Sequence, residues 1–299
     1  MNPILKRTLS GLTVGLLVVG LFLYCPLHAL LPIVAVLAAL AQFEFYQMAK
    51  MKYEPVAWFG ILMGLAWMTA VGVMGFGARR LIELGCGSAL AVTAAAFLLC
   101  AFVTFNSRYK NPLGTIASTL AGFFYVPFLM SFFLLLAQIG APAYSSSEWV
   151  SRTGLYTLFA LIAITKFSDT GGFAFGMAFG KHKMCPSISP KKSWEGLAGS
   201  MLFSAIVAAL MLYVARRFNW GDDLRVWKEL SYPVAMVGGA LLALVGTAGD
   251  LIESRFKREF DIKDSATFMP AGLGGFLDMF DSVLFIPALA YPIIVVFTR

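Results

Sequence analysis

Charged residues are scarce in this chain: only 13% of its 299 residues are Asp, Glu, Lys or Arg, and histidine occurs just twice. Soluble domains ordinarily carry about 25% charged residues, so a soluble domain of useful size is excluded. Cysteine is equally sparse. Cys25, Cys86, Cys100 and Cys185 are scattered without C-x-x-C spacing, which argues against both a zinc site and a disulfide framework. No Ser-His-Asp or Cys-His constellation is visible, so direct transfer between substrates is favoured over a covalent enzyme intermediate. Internal repeats, low-complexity segments and nucleic-acid-binding modules are also missing, as are the inverted hydropathy repeats of a transporter.

What the chain has is apolar surface. Hydrophobic residues make up 59% of it, 27 of them Phe, and the mean hydropathy is +0.79. These values predict an all-α, polytopic integral membrane bundle. The apolar runs give about nine spans, each near the ~20 residues a bilayer requires: 8–24, 29–48, 56–76, 86–105, 113–138, 153–178, 197–215, 233–250 and 276–297. The first follows Lys6 and Arg7 as a secretory signal would. Tyr24 before Cys25 fits neither a small-residue cleavage site nor a lipoprotein box, so an uncleaved helix is expected. The larger share of the basic residues falls on the N-terminal side of the spans, which predicts a cytoplasmic N-terminus and an external C-terminus. A single membrane domain over 1–299 is expected, with 1–150 mainly scaffold and 151–299 carrying the site. The net charge of +7 suits contact with anionic lipid and a polyphosphate.

The few charges are concentrated. Between Gly249 and Asp281 the acids Asp250, Glu253, Asp264, Asp278 and Asp281 stand among Lys257, Arg258 and Lys263. Each costs several kcal/mol in an apolar setting unless paired, solvated or bound to metal. Apolar runs on both sides put the stretch at a membrane–water boundary, where one site can reach a lipid head group and a water-soluble substrate. Asp278 and Asp281, three apart on an expected helix, share a face suited to a hard divalent cation, and Asp250 can close the cluster. The plainer reading, in which these acids neutralise neighbouring bases at a helix end, stays open at this point.

A second charged stretch runs from Lys166 to Gly196. Asp169 within an apolar helix needs a partner such as Lys166 on the preceding turn, a metal or water. Gly172, Gly176 and Gly180 recur every four residues, a pattern of close helix packing more than of phosphate cradling. Lys181, Lys183, Lys191 and Lys192, in a loop stiffened by Pro186 and Pro190, can grip a triphosphate or attract anionic head groups. Ser193 is placed to cap the following helix. Earlier in the chain, Glu44 between Phe43 and Phe45 reads as an interfacial acid that snorkels among belt aromatics.

Ser254, Phe256, Lys257, Arg258, Lys263, Asp264, Ser265, Pro270, Gly274, Gly275, Leu277, Asp278 and Asp281 together resemble the signature of the CDP-diacylglycerol synthase (phosphatidate cytidylyltransferase) family. Asp169, Gly171, Gly180, Lys181, Ser189, Pro190, Lys192, Ser193, Glu195 and Gly196 resemble a second block of that family, in the right order. Two positions depart from it. The turn over residues 270–275 is one residue longer and lacks the family's His, and Met279 stands where the family has Arg.

The resemblance implies transfer from CTP to phosphatidate, giving CDP-diacylglycerol and pyrophosphate. It implies Asp250, Lys257, Asp278 and Asp281 as catalytic residues, with Asp250, Asp278 and Asp281 holding Mg²⁺ and a second cation left open. Lys181, Ser189, Lys192, Ser193, Ser254, Arg258, Lys263 and Asp264 would bind substrate. The implied partners are CTP, phosphatidate or a similar lipid phosphate, and membrane lipids, with no nucleic acid and a homodimer left open. The expected location is the inner cell membrane, with the site facing the cytoplasm. A related CTP-dependent transferase acting on another lipid phosphate, and a non-catalytic membrane homologue, are the alternatives.

Overall fold

Long apolar segments in a bilayer satisfy their backbone groups most simply as helices, and helices dominate the computed structural model, which describes residues 27–74, 78–139, 152–219, 225–262 and 275–298. In chain order these are α1 (Leu27–Ala49), α2 (Ala57–Met74), α3 (Ala78–Phe105) and α4 (Pro112–Phe123). A π-helical turn (Phe124–Phe128) then leads into α5 (Leu129–Ala137). Next come α6 (Arg152–Phe179), the strands β1 (Lys183–Cys185) and β2 (Ser189–Ser193), and α7 (Trp194–Phe218). The chain continues with α8 (Arg225–Glu229), α9 (Tyr232–Glu259), α10 (Phe276–Phe280) and α11 (Ile286–Thr298). Among the described residues, five helical segments are long and apolar enough to cross a membrane: Leu30–Ala49, Pro112–Ala137, Thr153–Phe179, Trp194–Phe218 and Tyr232–Glu259. Shorter apolar helices cover Ala57–Gly72, Ala91–Phe105 and Ile286–Val296. The chain is an all-α polytopic membrane protein, with one small hairpin among the described residues. The first expected span, 8–24, lies outside the described residues.

The chain divides into two units. Among the described residues, the first holds α1 to α4, most of α5, and residues 260–262 and 275–278. Its core includes Val56, Leu99 and Val103. Burial favours pairing of polar groups, and the Gln42 amide donates to Tyr46 Oη at 3.0 Å and to the Gly60 carbonyl at 2.9 Å. The Tyr46 hydroxyl in turn donates to the Thr119 carbonyl at 2.8 Å.

The second unit holds α6, the hairpin, α7, α8, α9 and the chain from Met279 onward. Helices α6 and α7 touch through glycine. A Cβ on Gly171 would lie 2.7 Å from the Gly199 carbonyl oxygen, and one on Gly199 would lie 2.7 Å from that of Gly171. Gly172 likewise faces Ser200, and Gly176 faces the backbone of Gly196, so the small-residue stripe serves helix packing. The segment expected only as a basic loop contains an antiparallel hairpin, with Lys183 opposite Ser193 and Cys185 opposite Ser189. Strand β2 runs straight into α7, where the Ser193 side chain accepts the Gly196 N–H at 3.2 Å as the N-cap.

The last apolar run differs from expectation. Instead of one helix over 276–297, α10 stops at Phe280 and a turn over residues 281–285 precedes α11. Asp281 Oδ1 accepts the N–H of Ser282 at 2.5 Å, a side-chain bond to local backbone of the kind that competes with the helical ladder. Asp278 and Asp281 are therefore not two residues of one helix face.

Candidate active site

Helix α9 carries the first members of the site at its C-terminal end. Asp250, Glu253 and Lys257 follow one another at helical spacings of three and four, so they share one side of the helix. The turn after α10 brings Asp281 to them: single carboxylate oxygens of Asp250, Glu253 and Asp281 lie within 4.8 Å of one another. The approach depends on Gly249. A Cβ there would sit 2.6 Å from the Asp281 carbonyl oxygen, a distance that no side chain tolerates without the turn moving.

Lysines surround these acids. Lys192, from β2, places Nζ 2.6 Å from Asp250 Oδ2 and donates to the Thr247 carbonyl at 3.2 Å. Lys257 Nζ lies 3.0 Å from Glu253 Oε2, and the Glu253 side chain is 1% exposed. On α6, Lys166 Nζ lies 3.6 Å from Asp169 Oδ2, the partnership expected from one turn of helix. Burial, and after it the charge of Asp250, push the Asp281 carboxyl up to about 7, against the opposing pull of Lys166 and the Ser282 N–H.

The structure brings Asp250 and Asp281 together, and Glu253 joins them. Its signal was available, since it sits one turn from both Asp250 and Lys257. The Asp278 carboxylate accepts the Gly275 N–H at 3.2 Å at the start of α10, and Asp278 belongs to the first unit. Lys181 is exposed, Ser189 and Ser254 are half-buried, and Ser193 is buried under its cap. Arg258 Nε donates to the Ile188 carbonyl at 3.4 Å, tying the hairpin turn to α9. Lys263 and Asp264 lie outside the described residues. Glu44 does not snorkel: it is 1% exposed, and its Oε2 accepts the Leu277 N–H at 2.9 Å. A buried acceptor for a helix-start N–H is worth more there than hydration at an interface.

Three carboxylates within reach of one point, all hard oxygen donors, fit a divalent cation such as Mg²⁺. The adjoining ammonium groups fit phosphate.

These features define a polytopic helical membrane protein with a carboxylate–lysine site at the end of a long helix. Residues 5–297 match the Cytidylyltransferase family, and the chain belongs to that family. A Staphylococcus aureus (strain COL) protein named phosphatidate cytidylyltransferase is 42% identical over 133 residues, which is 44% of this chain and 46% of that protein. Proteins of the same name from Staphylococcus haemolyticus (strain JCSC1435) and Staphylococcus epidermidis (strain ATCC 35984) are each 41% identical over 131 and 132 residues, covering 44% of this chain and 45% of theirs. The chain spans about half the length of the curated relatives it matches.

Proposed function

We propose that the protein is a phosphatidate cytidylyltransferase, joining CTP and phosphatidate to give CDP-diacylglycerol and pyrophosphate. The observation that carries this reading is the gathering of Asp250, Glu253 and Asp281 within 4.8 Å, with Lys192 and Lys257 paired to two of them. The family membership and the name its relatives carry agree with it.

In the reaction, an oxygen of the lipid phosphate forms a bond to the α-phosphorus of CTP. The bond from that phosphorus to the bridging oxygen breaks, and pyrophosphate leaves with the electron pair. Asp250, Glu253 and Asp281 would hold a divalent cation, with Asp278 a further ligand on the family resemblance. The chemistry such a cation supplies when bound is neutralisation of the phosphate oxygens as charge shifts to the leaving group. Lys192 and Lys257, beside those acids, would bind phosphate oxygens, and Lys181, Arg258 and Lys263 would add to phosphate binding on the family resemblance.

No side-chain nucleophile is required, because the attacking oxygen is already ionised. The fuller topology in this reading is nine spans, a cytoplasmic N-terminus and a site on the cytoplasmic face of the cell membrane. There CTP arrives from water and the lipid from the bilayer.

The test is purified protein in detergent with labelled CTP, Mg²⁺ and a panel of lipid phosphates. Label should enter lipid with phosphatidate, and Asp281→Asn should lower the rate by at least about 100-fold, the loss of a metal ligand. Transfer with another lipid phosphate in its place would redirect the substrate, and none with any lipid would overturn the reading.

A further inference from the structure

The turn that carries Asp281 lies between α10 and α11, and the Val283 and Leu284 N–H groups donate to the Phe280 carbonyl at 3.0 and 2.8 Å across it. Its side-chain anchors come from α6. Asp169 Oδ2 accepts the Ser282 hydroxyl at 3.0 Å. Lys166 Nζ, one turn earlier, donates to Ser282 Oγ and to the Met279 carbonyl, both at 3.2 Å. A serine hydroxyl has one proton to give, so Ser282 is donor to Asp169 and acceptor from Lys166 at once. Its side chain is buried at 3% exposure, and its backbone N–H donates to Asp281 Oδ1 at 2.5 Å. On the opposite flank, a Cβ added to Gly246 would lie 3.2 Å from the Ser282 carbonyl oxygen, so the turn is confined between two helices.

We propose that Lys166 and Asp169 are positioning residues: together they clamp Ser282 and so hold the Asp281 carboxylate among Asp250 and Glu253, where a divalent cation would bind. The inference rests on the reading of that cluster as a cation site. Hydrogen-bonded partners behind a metal ligand set its orientation, and losing one commonly weakens binding by about 10–100-fold.

The sign of the effect separates positioning from plain electrostatics. Lys166 is a cation beside an acidic cluster, so if it acted only through charge, Lys166→Met would tighten cation binding. As part of a clamp, its loss weakens binding. Ser282→Ala changes no charge and removes the shared hydroxyl alone.

The experiment uses full-length protein in detergent, with Mn²⁺ affinity read by electron paramagnetic resonance and transfer followed at rising Mg²⁺. Ser282→Ala and Lys166→Met should each weaken Mn²⁺ binding by about 10-fold or more. Their transfer rates should recover at high Mg²⁺, and Ser282→Thr, which keeps the hydroxyl, should bind nearly as the unmodified protein does. The double variant Ser282→Ala with Lys166→Met should lose less than the product of the single losses, because both act on one contact. Unchanged or tighter Mn²⁺ binding in the single variants, or a fully multiplicative double variant, would overturn the clamp while leaving the proposed function standing. Failure of the unmodified protein to bind Mn²⁺ would overturn both.

Discussion

Asp281 bears two opposed demands, burial against α9 and ionisation for a cation. Without a cation its carboxyl is held up to about 7, compared with 3.8 for the unperturbed group, by burial and by the charge of Asp250. The unfolded chain therefore releases this proton first. Between about pH 4 and pH 7 the folded state binds the extra proton, so the contribution of Asp281 to stability falls as pH rises and levels off above that window. A cation binds the ionised form, so added Mg²⁺ should raise the melting temperature more at about pH 8 than at about pH 5. Thermal unfolding in detergent measures this, and Asp281→Asn should flatten the dependence on both pH and Mg²⁺. Asp278 differs in kind. Its carboxylate already accepts the Gly275 N–H, so its expected role as a ligand must be compatible with holding the start of α10.

At the level of elements, α9 is the backbone of the site, and its glycines are as important as its acids. Gly249 precedes Asp250 and admits the Asp281 carbonyl oxygen to the helix surface, where a Cβ would come within 2.6 Å of it. Gly249→Ala should destabilise the protein by about 1–3 kcal/mol, the usual cost of overpacking. It should also displace Asp281 and weaken Mn²⁺ binding, although no ligand has been altered. Thermal unfolding and Mn²⁺ titration of the same variant check the two effects together. The β1–β2 hairpin serves a similar end: strand β2 delivers Lys192 to Asp250 and then ends in the Ser193 cap of α7.

For the whole molecule, the decisive question is which side of the membrane the site faces. CTP is an intracellular nucleotide, and the proposed orientation places the hairpin in the cytoplasm and α8 outside. In a cysteine-free background, Lys228→Cys should react with an impermeant thiol reagent added to intact cells, and Lys183→Cys should react only after permeabilisation. Labelling of Lys183→Cys from outside would reverse the orientation.

The class of the protein was legible in the sequence because the bilayer leaves apolar segments of about 20 residues one main solution, the helix. Eight of the nine expected runs fall wholly or mostly in described residues, and the described part of each carries helix. Scarcity of charge made the acid-rich stretch conspicuous, and helical spacing linked Lys166 to Asp169 and Ser193 to its cap. Spacing failed beyond α10. A turn over residues 281–285 interrupts the last run there, and periodicity read through the break put Asp278 and Asp281 on one helix. Which carboxylates meet was a tertiary matter, decided by the gap at Gly249 that lets the turn close onto α9 and bring Asp281 to Asp250 and Glu253. The burial of Glu44 was equally beyond sequence reasoning. Its partner is a backbone N–H 233 residues away, and residue type alone does not encode a contact at that separation.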